Sequence, residues 1–167
     1  MSREEENLSS LDAKKKFREL VDDVKVCMMI SDLSTKPLSA NPMQAKEVDE
    51  SGNVWFLTGR DSNHFENFEK NSECQLFFSD AKSNFLSVYG NIEIDNSRVR
   101  IEELYSGFDN AYFDGKEDPR IVALKFTPEQ AAYWSADQNR LVTLFKLGYA
   151  AITGKDQDLG SYGKMDL

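Results

Sequence analysis

A run of aromatic and β-branched residues ends at a glycine and passes straight into a helix start: Asn53-Val54-Trp55-Phe56-Leu57-Thr58, then Gly59-Arg60-Asp61, then Ser62-Asn63-His64-Phe65-Glu66-Asn67-Phe68. The first part has strand propensity, Gly59 marks a turn, and Ser62 is a good helix N-cap. A strand that hands its chain to a helix N-terminus aims free backbone N–H groups and the positive end of the helix dipole at one spot. Thr58 and Ser62 add hydroxyls there. Asn63 and the chain's single histidine, His64, add backbone and side-chain donors. A phosphate or carboxylate in front of this turn would draw His64 toward its charged form. A capped surface helix with His64 in water accounts for the same residues.

Around this unit the chain alternates short apolar runs with turn signals. Residues 1–10 read as a flexible polar N-terminus and 11–167 as one domain. Ser9 or Ser10 caps a predicted helix with Phe17, Leu20, Val21 and Val24 on one face. Val26–Ile30 fits a strand buried on both sides, although its periodicity also allows helix. Leu38–Val48 reads as a strand whose Pro42 requires an edge or a bulge. Glu47–Asn53 is a hairpin connection.

After a helix over 62–71 come strands at Cys74–Phe78 and Phe85–Ile94, where Gly90 marks a bend or a close backbone approach. A helix starts at Asn96 or Ser97. Ser106–Pro119 is either an irregular loop pinned by Phe108, Tyr112 and Phe113, or a lid or subunit contact. Arg120–Thr127 is a strand broken by Pro128, and Ala131–Trp134 is extended again. A helix from Arg140 to Ile152 stops at Gly154, and the apolar end of the tail Gly160–Leu167 favours docking. Six or seven strands, mostly at hairpin spacing, with about four helices make an α+β fold.

Net charge −9 argues against a nucleic-acid partner, since phosphate neutralisation needs a clustered basic face. Lys14-Lys15-Lys16 reads as the solvated side of the first helix. No apolar run approaches the roughly 18 residues of a membrane span, and Met1–Glu6 lacks a signal-peptide core, so no membrane partner and a cytoplasmic location are expected. Cys27 and Cys74 read as small buried hydrophobes. One histidine and two separated cysteines supply no metal site, and His64 has no triad geometry with Ser62 or Asp61. Trp55 alternates within a strand and reads as core. Trp134, beside a polar loop, reads as a half-exposed indole suited to binding.

Several short motifs then fall in a recognisable order: Pro42-Met43, Val54-Trp55-Phe56-Leu57-Thr58, Asp61-Ser62, Ser87-Val88-Tyr89-Gly90, Ile101-Glu102-Glu103-Leu104, Thr127-Pro128-Glu129, Tyr133-Trp134, Leu144-Phe145-Lys146 and Gly163-Lys164-Met165-Asp166-Leu167. In this order they resemble the general stress protein 26 family, a branch of the pyridoxamine 5′-phosphate oxidase-like flavin-binding split barrels. The resemblance covers nearly the whole chain. It implies a six-stranded antiparallel split β-barrel with flanking helices, and a homodimer holding FMN at its interface. Asn41, Pro42, Met43 and Gln44 would line the flavin ring. Leu57 and Thr58 would lie at its ring and phosphate side, and Ser62, Asn63 and His64 at the phosphate. An aromatic matching Trp134 would arrive from the partner chain.

Relatives commonly carry arginine where this chain has Asn41, and lysine or arginine where it has Asn63 and His64. The resemblance therefore implies weaker FMN affinity with some pH dependence through His64, and Arg60 and Lys82 stand as compensating cations. Arg140 is the cation placed to meet an anionic small-molecule substrate. The implied function is an FMN-binding, stress-related protein, a flavin-dependent oxidoreductase. The alternative is a non-catalytic split-barrel binding protein with weak or lost flavin binding.

Overall fold

The computed structural model describes residues 10–81, 84–135 and 161–166. The helix expected from Arg140 to Ile152, its stop at Gly154, the segment before Ser10, and Lys82 lie outside the described residues.

Helix α1 (Ser10–Val24) buries Phe17, Leu20 and Val21 and leaves Lys14 and Lys15 in water. It ends where Lys25 turns into the left-handed region, φ 61°, and donates its N–H to Val21 O at 2.8 Å. Strands β1 (Val26–Ser31), β2 (Ser39–Gln44), β3 (Glu47–Val48) and β4 (Val54–Gly59) follow. Next come α2 (Asn63–Lys70), β5 (Glu73–Ser79), β6 (Phe85–Asp95), α3 (Arg98–Leu104), a 3-10 turn (Gly107–Ala111), β7 (Ile121–Ser135) and β8 (Ser161–Asp166). No helix among the described residues is long and apolar enough to cross a membrane.

Every pairing is antiparallel, in the order β2-β1-β5-β6-β7-β4-β3. β2 also comes alongside β4, which curls the sheet back on itself. β7 spends its first half on β4 and its second half on β8, and this divergence splits the barrel. The fold is α+β and split-barrel-like. The six implied strands are present, and the two-residue β3 and the C-terminal β8 bring the sheet to eight. The tail therefore docks, as a strand on β7.

Alternation along β4 divides the core in two. Val54 and Phe56 enter the barrel with Phe17, Phe78 and Phe126, while Trp55 and Leu57 join Ile101, Leu104, Ile121 and Ala123 beneath α3. Trp55 is core, with its Nε1–H on Asp49 Oδ2 at 2.9 Å and the Arg100 guanidinium 4.2 Å from its ring. Both cysteines are free and buried. Burial pushes the Cys27 thiol up to about 12, and the Cys74 thiol higher still.

Four expectations are corrected. Pro128 does not end a strand, because β7 runs through it. A bulge between Tyr89 and Gly90 absorbs the proline, and a Cβ on Gly90 would strike Thr127 O and sit 3.0 Å from Pro128 Cα. The single strand expected over Leu38–Val48 is two, β2 and β3, broken at Ala45-Lys46, while Pro42 does stand on an edge strand as its missing donor requires. β1 is not buried on both sides along its whole length, since Val26 and Met28 are exposed and only Ile30 on their face is covered. Finally, of the three aromatics expected to pin the segment after α3, only Phe113 packs on the core, and Phe108 and Tyr112 are 76% exposed each. Buried acids hold it: Asp109 takes Lys46 Nζ at 2.7 Å, and Asp118 takes Arg120 Nη2 at 2.7 Å.

Candidate functional site

β4 delivers Thr58 on its barrel-side face, and Gly59 then turns the chain into α2. The turn is shaped by Ser62, whose extended backbone (φ −86°, ψ 145°) and hydroxyl make it the N-cap, accepting from Phe65 N at 3.3 Å. With Phe65 N on the cap and Glu66 N starting the helix ladder on Ser62 O, the amides of Asn63 and His64 face outward from the helix start. The Asn63 side chain is exposed.

His64 is not in water. It is 8% exposed, and burial lowers its pKa below the ordinary 6.5, so the imidazole is neutral near pH 7. Its Nε2 lies 2.5 Å from Thr58 Oγ1 and 3.3 Å from Ser62 Oγ. Thr58 Oγ1 is 3.2 Å from Ser62 Oγ, and Ser62 donates to Gly59 O at 2.8 Å. Sequence spacing did not reveal that these three side chains satisfy one another. The local pattern marks a turn at Gly59 but not that the turn folds His64 and Ser62 back onto Thr58.

Charges near the turn are already engaged. Arg60 reaches Asn96 Oδ1 at 2.6 Å, and Arg120 bridges Asp118 and, at 3.6 Å, Asp61. Asp118 is held well below the usual carboxylate range, chiefly by its hydrogen bonds from the Arg120 guanidinium.

Strand β2 places Asn41, Pro42, Met43 and Gln44 on the strand alongside β4. Met43 packs on the barrel core, Pro42 is exposed, and Gln44 accepts from Lys46 Nζ at 3.4 Å. Asn41 Nδ2 is a buried donor with no acceptor among the described residues. A cavity of about 250 Å³ lies beyond Gln44, walled by α1, the β2–β3 link and the corner after α3. None of the other candidate residues lines it. Leu57 faces the α3 cluster.

Trp134, 44% exposed, does not join Thr58 within one chain. It sits twelve positions beyond Val122, the β7 residue paired with Thr58, or roughly 40 Å along a strand. Arg140 lies outside the described residues.

A family model for pyridoxamine 5′-phosphate oxidase-like proteins matches residues 12–158 of the chain. The chain belongs to that family. General stress protein 26 of Bacillus subtilis (strain 168) is 30% identical over 108 residues, which span 65% of this chain and 66% of that protein. A Clostridium acetobutylicum protein, described as related to general stress protein 26 and of the pyridoxinephosphate oxidase family, superposes with a TM-score of 0.64. It is 27% identical and covers 77% of this chain and 91% of its own. The general stress FMN/FAD binding protein of Xanthomonas citri has the same fold, with a TM-score of 0.66 at 22% identity, covering 77% of this chain and 92% of its own.

Donor chemistry tests whether a flavin phosphate suits this member of the family. The orphaned Asn41 amide and the two forward amides of α2 are neutral donors on adjacent strands and turns. They fit an oxygen-rich ligand, but the cations at the turn, Arg60 and Arg120, are already engaged by Asn96, Asp118 and Asp61.

Proposed function

We propose that this protein binds FMN as a homodimer and uses it as a flavin-dependent oxidoreductase in a stress-related role. The observation that carries the reading is the buried Asn41 Nδ2 on β2, the strand that comes alongside β4, which finds no acceptor among the described residues. A ligand with carbonyl and phosphate oxygens supplies the acceptor that this donor lacks, and leaving it unmet costs about 1–3 kcal/mol. Asn41 and the β2 backbone through Gln44 would hold the ring, and the α2 amides with Ser62 and His64 would hold the phosphate. When bound, FMN supplies the hydride chemistry. The chain's part is to orient it and shield it.

Support for a second copy comes from the outer face of the sheet. Register sets Pro42, Met28, Phe77, Ser87 and Ala132 in one row across five strands, with Phe85 opposite Trp134 in another. Met28, Phe77, Phe85 and Trp134 are each 42–46% exposed, and the first row carries no charge until β8, where Lys164 pairs with Ala132. A chain of net charge −9 meets its own copy at least cost where it carries no charge. Such a copy would also bring in a Trp134 that a single chain holds far from Thr58.

The neutral turn favours a second reading, a split-barrel protein that binds flavin weakly and does no chemistry. Titrating FMN fluorescence against purified protein tests the first reading. Quenching at low-micromolar protein is expected, and free fluorescence at several-fold protein excess would sink it. Oxidation of a reduced nicotinamide or of pyridoxamine phosphate by the loaded protein then separates the two. Phe77→Glu should yield monomers by sedimentation and weaken FMN binding at least tenfold. A dimer that persists removes this face from the interface.

A further inference from the structure

The hydroxyls around His64 have a direction. Gly59 O only accepts, so the Ser62 proton goes there, and Ser62 Oγ can then only accept from Thr58. Thr58, having given its single proton to Ser62, accepts in turn from His64 Nε2–H at 2.5 Å. This arrangement uses every close contact in the cluster, whereas the opposite tautomer sets lone pairs against each other at two of them. Nε2 therefore carries a proton whether the ring is neutral or charged, and Nδ1, which has no partner among the described residues, is the atom that titrates.

We infer that His64 couples the binding of a phosphate ester in front of α2 to the uptake of one proton at Nδ1, an inference that rests on the FMN reading above. Toward an anion in front of α2, a neutral Nδ1 would present a lone pair, which repels a phosphate oxygen. Protonation turns that repulsion into a charge-assisted hydrogen bond without disturbing the Thr58–Ser62–Gly59 chain. The proton comes from solvent or from the ester's own second ionisation, which lies near pH 6 (about).

Among the described residues no other titratable side chain hydrogen-bonds the ring, and Arg120 near the turn is held by Asp118 and Asp61. β4 has no titratable side chain, and β1 has only the buried Cys27. On α2 itself, Glu66, Glu69 and Lys70 are exposed, and Arg60 and Asp61 at the turn are exposed as well. Burial alone accounts for the depressed basicity of the ring. The missing fixed cation is thus replaced by one that forms when the anion arrives.

His64 is the sole histidine, so its ring nitrogens are identified in imidazole-labelled protein without assignment. The free protein should show the Nε2–H tautomer with a midpoint below 6.5, and saturating FMN should raise that midpoint. From pH 6 to 8 the wild-type FMN dissociation constant should rise by up to about tenfold per pH unit. That slope should exceed the slope of His64→Gln, and riboflavin, which lacks the phosphate, should show none. An Nδ1–H tautomer, an unmoved midpoint, or equal slopes in wild type and variant would overturn the inference while leaving FMN binding intact. Failure of wild type to bind FMN at any of these pH values overturns it together with the reading on which it rests. The nuclear magnetic resonance arms need no variant, so a misfolded His64→Gln does not spare the inference.

Discussion

Two turns lean on the end of the β4–β7 ladder, and they are held together by opposite means. After α3, full charges do it. Lys46 Nζ sits on Asp109 Oδ2 with side chains 7% and 10% exposed, and Asp109 Oδ2 also takes Ser106 N at 2.7 Å. Asp118 receives Arg120 and the amides of Asp114 and Arg120. Ahead of α2, the groups are neutral: two hydroxyls, an uncharged imidazole and a carbonyl. A buried ion pair cannot be traded for a ligand without stranding a charge, so it fixes geometry. A chain of neutral hydrogen bonds, each worth about 1 kcal/mol net, can be polarised or rearranged at modest cost. The charged turn is scaffold. The neutral one is where a ligand can be negotiated.

Removing a charge from the first turn should produce the largest change. Asp109→Ala strands Lys46 in the interior and should cost about 3–5 kcal/mol in urea unfolding. A loss below about 1 kcal/mol would erase the contrast. Asp118→Asn tests the same turn through pH. The folded carboxyl lies below its unfolded value, so its contribution is complete at neutral pH. It fades as acid takes the solution from the ordinary aspartate range, about 3.9, down through the folded value. The variant should be less stable at pH 7 and show a flatter acid limb of melting temperature against pH, and parallel limbs would contradict that assignment.

In the neutral turn, Ser62→Ala removes the cap and one link of the hydroxyl chain and should cost about 1 kcal/mol. A cost as large as that of Asp109→Ala would show that the neutral turn is scaffold too. Smallest of all, Lys125→Ala breaks an exposed pair with Glu93 at 3.2 Å and should change stability by under about 1 kcal/mol, giving the surface baseline.

Much of this was legible in the chain before any contact was known. Ser62 and Ser97 are caps, Gly90 is a close approach and Trp55 is core, because each follows from a residue's own conformational limits or a local period. The buried Asp109 was signalled only faintly, by the Ser106-x-x-Asp109 spacing of a capping box. Pro128 shows how a local rule fails. Proline removes a donor wherever it stands, but whether that ends a strand depends on what lies opposite, and here Gly90 lets the strand continue.

His64 shows the same limit at the site. Residue types and spacing place it in the first turn of a helix after a strand, and they name the anion that such a turn can hold. They do not say whether the ring is wet. That follows from Thr58 facing the barrel side and from Ser62 folding back to Gly59, contacts made through the closure of the chain. Propensity acts over a few residues, whereas burial and its effect on a proton depend on every element that happens to meet there.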